Sequence, residues 1–247
     1  MSTASFLPKA TPIICQIVVF TFSIMFSRFC GIFLVQFPYF FCSFDRLSTM
    51  IIQGDIESLR TQNVEDFKSF GALSPLLLAV LHEQEAVLDY LLQLNFLDVN
   101  LPDPEEGLTP LHLACHLENL NMISSLLEAR ADPNVLTLNG ESALWFAASS
   151  GSINSIALLW RKGAKIDVQV EGDTPVMLAT REDNLEVLTQ LVMLKADLTK
   201  KNEQNFTVTE LAASLGRFKL LKFLLELVLS LFLLFKYFLC LHIYYSI

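Results

Sequence analysis

Histidine and cysteine are scarce where chemistry would need them. The 247 residues hold four His and five Cys, and between Asp45 and Glu226 the cysteines are reduced to Cys115 alone. A single thiol excludes a disulfide framework or a cysteine-rich zinc module in that stretch. Nor can a nucleophile, a base and an orienting group be assembled from so few candidates. No Gly-x-Ser-x-Gly turn and no glycine-rich phosphate cradle interrupts the sequence. An enzyme is therefore not expected, and no cofactor or metal with it.

Charge is missing from both ends. All 26 Asp and Glu lie between Asp45 and Glu226, while the first 44 residues carry only Lys9 and Arg28 and the last 21 only Lys236. The window from 45 to 226 holds those 26 acids against 14 bases, a net charge of −12. Such a surface repels phosphate, so nucleic acid is not expected as a ligand. Its two basic clusters, Arg161-Lys162-Lys165 and Lys200-Lys201, form at most a modest positive strip suited to an acidic loop of a partner.

The ends make up in apolar residues what they lack in charge. Residues 1–44 contain half of the 20 Phe and three Cys (Cys15, Cys30, Cys42). Ala10 to Ser27 is uncharged for 18 residues, the lower limit of a membrane-spanning helix, with no small-x-small cleavage site before Arg28. Residues 227–247 are apolar throughout, but Lys236 near their middle would cost about 2.5–3.5 kcal/mol in a bilayer. Three readings stand side by side: one or both ends as membrane segments, both as sequence the working protein lacks with Met50 as its start, or a buried role.

Between the ends the chain repeats. Ser74-Pro75, Thr109-Pro110, Ser142-Ala143, Thr174-Pro175 and Thr207-Val208 fall in register at intervals of 35, 33, 32 and 33, each but the last preceded within three residues by a glycine (Gly71, Gly107, Gly140, Gly172). The clearest unit runs from Gly107 to Asn134. Thr109 and Pro110 open a short helix, with proline at the first helical position where its missing N–H costs nothing. A break at Glu118-Asn119 leads to a second helix whose apolar Met122, Ile123, Leu126 and Leu127 share one face. Helices this short are marginal alone, so each unit needs neighbours.

Thr109-Pro110-Leu111-His112-Leu113-Ala114, recurring in register as SPLLLAV, SALWFAA, TPVMLAT and TVTELAA, resembles the ankyrin repeat over Gly71 to Glu226. The resemblance implies an all-α solenoid of helix-turn-helix units within a central domain at 45–226. Paired helices are expected at 75–82 and 86–94, 110–116 and 120–128, 143–149 and 153–161, 175–181 and 185–193, and 208–214 and 218–226. Met50 to Leu59 reads as a degraded capping repeat with its break at Gly54-Asp55, and Thr61 to Ser69 as the polar connection onward. In the last repeat Thr209 replaces Leu or Val and Asn205 replaces Gly, so that end should fray first.

The resemblance also implies a non-catalytic, monomeric module that binds a partner protein through its concave face and hairpin tips, in the cytoplasm or nucleus. The alternative is a membrane-tethered repeat protein anchored by its ends. The tips fall at Pro102 to Glu106, Val135 to Asn139, Val168 to Glu171 and Lys200 to Glu203, and the first helices present His82, His116, Ser149, Ser150, Arg181 and Glu182. From these the candidate contacts are Leu136, Leu138, Trp145, Gln169, Glu171, Arg181, His116 and Ser149. Leu136 and Leu138 are apolar in a turn that should be exposed, whereas Trp145, at the register of His112, suits core packing as well as contact. His112 and His116 share a helical face, but Leu113 stands where a zinc-protease helix needs Glu and no third ligand is indicated, so His112 reads as the repeat's signature histidine. Glu105-Glu106 and Glu182-Asp183 read as solvated surface charge.

Overall fold

The computed structural model describes residues 46–62, 74–227 and 229, which form helices joined by turns and loops, with isolated bridges Leu136–Ser142 and Val170–Asp173. In chain order the helices are α1 (Arg46–Gln53), α2 (Ile56–Arg60), α3 (Pro75–Leu81), α4 (Glu85–Gln93), α5 (Pro110–His116), α6 (Leu120–Glu128), α7 (Ala143–Ser150), α8 (Ile153–Arg161), α9 (Pro175–Arg181), α10 (Leu185–Met193), α11 (Val208–Ser214) and α12 (218–227). The first ten pack as consecutive pairs, α1 with α2, α3 with α4, α5 with α6, α7 with α8 and α9 with α10. The Gly71 register position and most of the Thr61–Ser69 connection lie outside the described residues, as do residues 10–27 and the tail from 230. No helix among the described residues is long and apolar enough to cross a membrane.

Each pair starts and stops for local reasons. The hydroxyls of Ser74, Ser142 and Thr174 accept the N–H of the third residue on, at 3.3, 3.2 and 3.4 Å, capping α3, α7 and α9. Pro75, Pro110 and Pro175 occupy the first helical turn without wasting a donor. A left-handed residue then ends each first helix, Gly151 at φ 84° after α7, but Glu118 and Asp183 at φ 57° after α5 and α9. The following N–H returns to the helix, from Asn119 to the Ala114 carbonyl at 3.2 Å and from Asn184 to the Ala179 carbonyl at 2.9 Å. The same asparagines cap the next helix through Met122 N–H and Val187 N–H.

The helices stack in two layers. The first helices α1, α3, α5, α7, α9 and α11 pack in succession, and α2, α4, α6, α8 and α10 form the outer layer. Small residues allow the close approach of the first layer: Ala114, Cys115, Ala147, Ala148 and Ala179 are buried. Between the layers Leu88, Leu91, Leu111, Met122, Ile123, Leu126, Leu144, Ile156 and Leu159 are fully enclosed. Each such side chain contributes about 1.5–3 kcal/mol of burial, which lets helices of seven to nine residues persist.

The first unit is less degraded than the sequence suggests. α1 begins at Arg46 rather than near Met50, and Leu47 and Ile51 join the same apolar cluster as the later repeats. Gly54 at φ 73° and Asp55, whose carboxylate accepts Ser58 N–H at 3.1 Å, make the break before α2. At the other end Asn205 stands at φ 69°, taking the left-handed conformation that glycine supplies elsewhere.

Candidate functional site

The candidate surface is made by the loops that leave each outer helix and turn back into the next first helix. In the loop before α5, Asp103 holds the turn together. One carboxylate oxygen accepts Glu105 N–H at 2.6 Å and Glu106 N–H at 2.9 Å, and the other accepts Leu108 N–H at 3.2 Å. Glu106 is only half exposed, a departure from the solvated reading of the Glu105-Glu106 pair. Partial burial pushes its carboxyl up from the ordinary value, and the carboxylates of Asp103, Glu141 and Glu105 add to the shift.

The loop before α7 carries the two leucines. Thr137 is buried and fixes the turn: its N–H donates to the Glu141 carbonyl at 2.9 Å, its hydroxyl to the Glu141 carboxylate at 3.1 Å, and its carbonyl accepts Gly140 N–H. Leu138 N–H crosses to the Glu106 carbonyl of the preceding loop at 2.9 Å, which ties neighbouring tips together. Leu136 and Leu138 flank this anchored residue with their side chains 47% and 73% exposed. Two large apolar groups are thus held in water by a backbone that has little freedom to hide them.

The loop before α9 closes by reciprocal hydrogen bonds between Val170 and Asp173, both at 2.9 Å. Glu171 is exposed at its tip. The Gln169 amide donates to the Gly172 carbonyl at 2.8 Å and to the Lys201 carbonyl of the next loop at 3.1 Å, so its polar end already bridges two tips. Asp173 is a junction: one oxygen pairs with the Arg181 guanidinium and the other accepts the Asn202 amide at 3.0 Å. The Arg181 carbonyl in turn accepts from Arg217 at 2.9 Å, and Arg217 also pairs with Asp183.

On the first helices, His116 and Ser149 are exposed and Trp145 is half-buried, outside the buried core. Ser150 is turned to the neighbouring helix, where its hydroxyl donates to the Cys115 carbonyl at 3.3 Å. Sequence reasoning missed Phe146. Its ring lies 5.6 Å from that of His112 and 6.1 Å edge-on to that of His116, linking two repeats. The available signal was its register with Leu113 and Leu178 in ALWFAAS, where a larger ring projects further.

His112 itself is enclosed. Its Nδ1 accepts Thr109 N–H at 3.1 Å, and its Nε2–H donates to the Val135 carbonyl at 2.9 Å, joining the start of α5 to the outgoing loop. Both nitrogens are occupied in a neutral ring, and burial holds its pKa down to about 4 against a partial opposing pull from the Val135 carbonyl. Cys115 is a buried free thiol pushed well above the ordinary value by burial, the opposite of an activated nucleophile. Among the described residues no three His, Cys, Asp or Glu side chains converge as metal ligands.

A family model described as ankyrin repeats (3 copies) matches residues 49–137, 76–170 and 114–202. The chain is similar to neurogenic locus notch homolog protein 1 of Danio rerio, 33% identical over 124 residues, 50% of this chain and 5% of that protein. It is 31% identical over 99 residues to the BTB/POZ domain and ankyrin repeat-containing protein NBCL of Lotus japonicus, 40% of this chain and 20% of that one. With potassium channel AKT2/3 of Arabidopsis thaliana it shares 29% identity over 171 residues, 69% of this chain and 21% of the channel. The matched region thus spans between 5% and 21% of the length of these relatives.

Proposed function

The chain belongs to the ankyrin-repeat family, and from that premise we propose that it binds a partner protein through the loop tips around Leu136 and Leu138 and the adjoining first helices. Repeats of this family generally serve as protein-interaction modules and not as catalysts. The observation that carries the finer reading is the pair of exposed leucines on a hydrogen-bonded turn. Apolar side chains on a backbone that is already fixed add no backbone ordering cost when they are covered, which favours their use as anchors. Trp145, His116, Ser149 and Arg181 supply the adjoining floor, and Gln169 and Glu171 the next tip. The partner-binding unit is proposed as a monomeric domain over 45–226 that acts in the cytoplasm or nucleus without a cofactor and without nucleic acid as ligand.

Leu136→Asp combined with Leu138→Asp is expected to leave helical circular dichroism unchanged while weakening partner binding by about tenfold or more. Loss of helicity would show instead that the leucines support the fold. Retained helicity with unchanged binding would move the contact surface elsewhere.

A second reading, tethering to a membrane, rests on the uncharged stretch Ala10 to Ser27 and the apolar residues 227–247. Carbonate washing of membranes from the native source separates the two. A tethered protein stays with the pellet, whereas an untethered one is released.

A further inference from the structure

The ends of three successive outer helices are built alike. Arg130, Gly163 and Lys195 all adopt a left-handed backbone, at φ 67°, 90° and 68°. Each donates its N–H three residues back, to Leu127, Trp160 and Val192, and the next N–H returns five residues, to Leu126, Leu159 and Leu191. These positions are therefore equivalent points on one row across α6, α8 and α10, whose axes stack at a spacing of about 8–10 Å.

The row is cationic in an otherwise acidic domain. Arg130 and Lys195 occupy it directly, and Arg161 and Lys162 flank Gly163. All four are exposed, and none enters an ion pair among the described residues. Two large apolar side chains stand just before the row on neighbouring helices that pack against each other, Trp160 three residues before Gly163 at 45% exposure and Met193 two residues before Lys195 at 71%. At the register of Trp160 one repeat earlier, Leu127 is only 6% exposed. Cations near a helix C-terminus complement its dipole, which explains the sign of the charge. It does not explain an indole and a thioether left in water among them.

We infer that this strip is a second binding surface, which takes an acidic segment of another protein in extended form across α6, α8 and α10. An extended chain rises about 3.2–3.4 Å per residue, so carboxylates at every third residue match the row's spacing. An apolar side chain between them covers Trp160 and Met193, and guanidinium and indole groups suit such mixed contacts. An anionic bilayer has the same charge sign but the wrong shape. Its plane would have to approach the exposed Asp132 and Glu186 as well, whereas a single strand follows the line from Arg130 to Lys195 and passes one acid, Glu128, at the register of Arg161.

The test uses the full-length chain and a fluorescein-labelled nonapeptide with Glu at its first, fourth and seventh positions, Leu at its fifth and Ser elsewhere. The control has the same composition with its three Glu adjacent. The spaced peptide should bind about fivefold tighter than the control and weaken by about fivefold or more between 50 and 300 mM NaCl. Arg130→Gly with Lys195→Gly suits the left-handed turns and should not lower Tm, yet should cost about tenfold in affinity, as should Trp160→Ala. The Leu136→Asp, Leu138→Asp variant should bind the peptide as the parent does, which separates this surface from the loop tips. Equal binding of the two peptides, unchanged affinity in the double glycine variant, no binding of the spaced peptide, or binding only to phosphatidylserine vesicles would each overturn the inference.

Discussion

Replacing Gly172 with alanine is expected to lower the unfolding free energy by about 2–4 kcal/mol, measured by urea denaturation. Two costs combine. Gly172 stands at φ 82°, where any side chain pays about 1–2 kcal/mol. A Cβ there would also lie 2.6 Å from the Glu203 backbone nitrogen and 2.6 Å from its Cγ, so the next loop would have to move. Gly140 is the built-in control: it shares φ 82°, but a Cβ there meets nothing within 4 Å. Gly140→Ala should therefore cost only the conformational part, about 1–2 kcal/mol. The difference between the two variants measures how tightly adjacent loop tips are pressed together. Equal costs would mean that the tips are not coupled.

His112 should make the domain sensitive to mild acid. Its buried, neutral ring has a pKa near 4, against 6.5 for an exposed histidine. Below pH 6.5 the unfolded chain takes up a proton that the folded chain refuses, so stability is full above that pH and declines as pH falls toward 4. Over that window the loss attributable to this residue is about 3 kcal/mol. Burial lowers the pKa of His82 as well, and it contributes in the same direction. His112→Leu, which installs the residue type that the preceding repeat uses at Leu77, should lower stability at pH 7 by removing the Thr109 and Val135 hydrogen bonds. It should also flatten the dependence between pH 6.5 and 4, and parallel pH curves for parent and variant would refute this role.

The fold was legible because its signals are local. Ser or Thr before Pro, and Asn after a left-handed break, fix helix ends within a few residues, and α5, α6, α8, α9, α10 and α11 begin and end where the repeat register places them. The start of α1 was not legible, because RLSTMIIQ offers neither a proline nor an acidic first turn. The exposure of Leu136 and Leu138 could be read from apolar residues placed in a turn. What the tips do to one another could not. Gln169 with Lys201, Asn202 with Asp173 and Lys200 with the Asp167 carbonyl join residues 29 to 33 positions apart, through contacts that exist only once the repeats stack. Stacking also explains why Glu106 is not simply solvated: the Glu141 carboxylate reaches its neighbourhood from the next loop. The exposure of Trp160 was not legible because its helix has an ordinary apolar face, of which Ile156 and Leu159 are buried while the indole is left 45% exposed.

The most direct test of partner binding at the loop tips is photo-crosslinking in the native source, with a benzophenone side chain placed at position 138 in one full-length variant and at 154 in another. Leu138 is exposed at the proposed contact, and Asn154 is exposed on α8, away from the loop tips. Binding at the tips should give a discrete protein adduct from position 138 that is absent from position 154 and abolished by Leu136→Asp. Adducts from position 154 alone, or the same adducts from both sites, would contradict it.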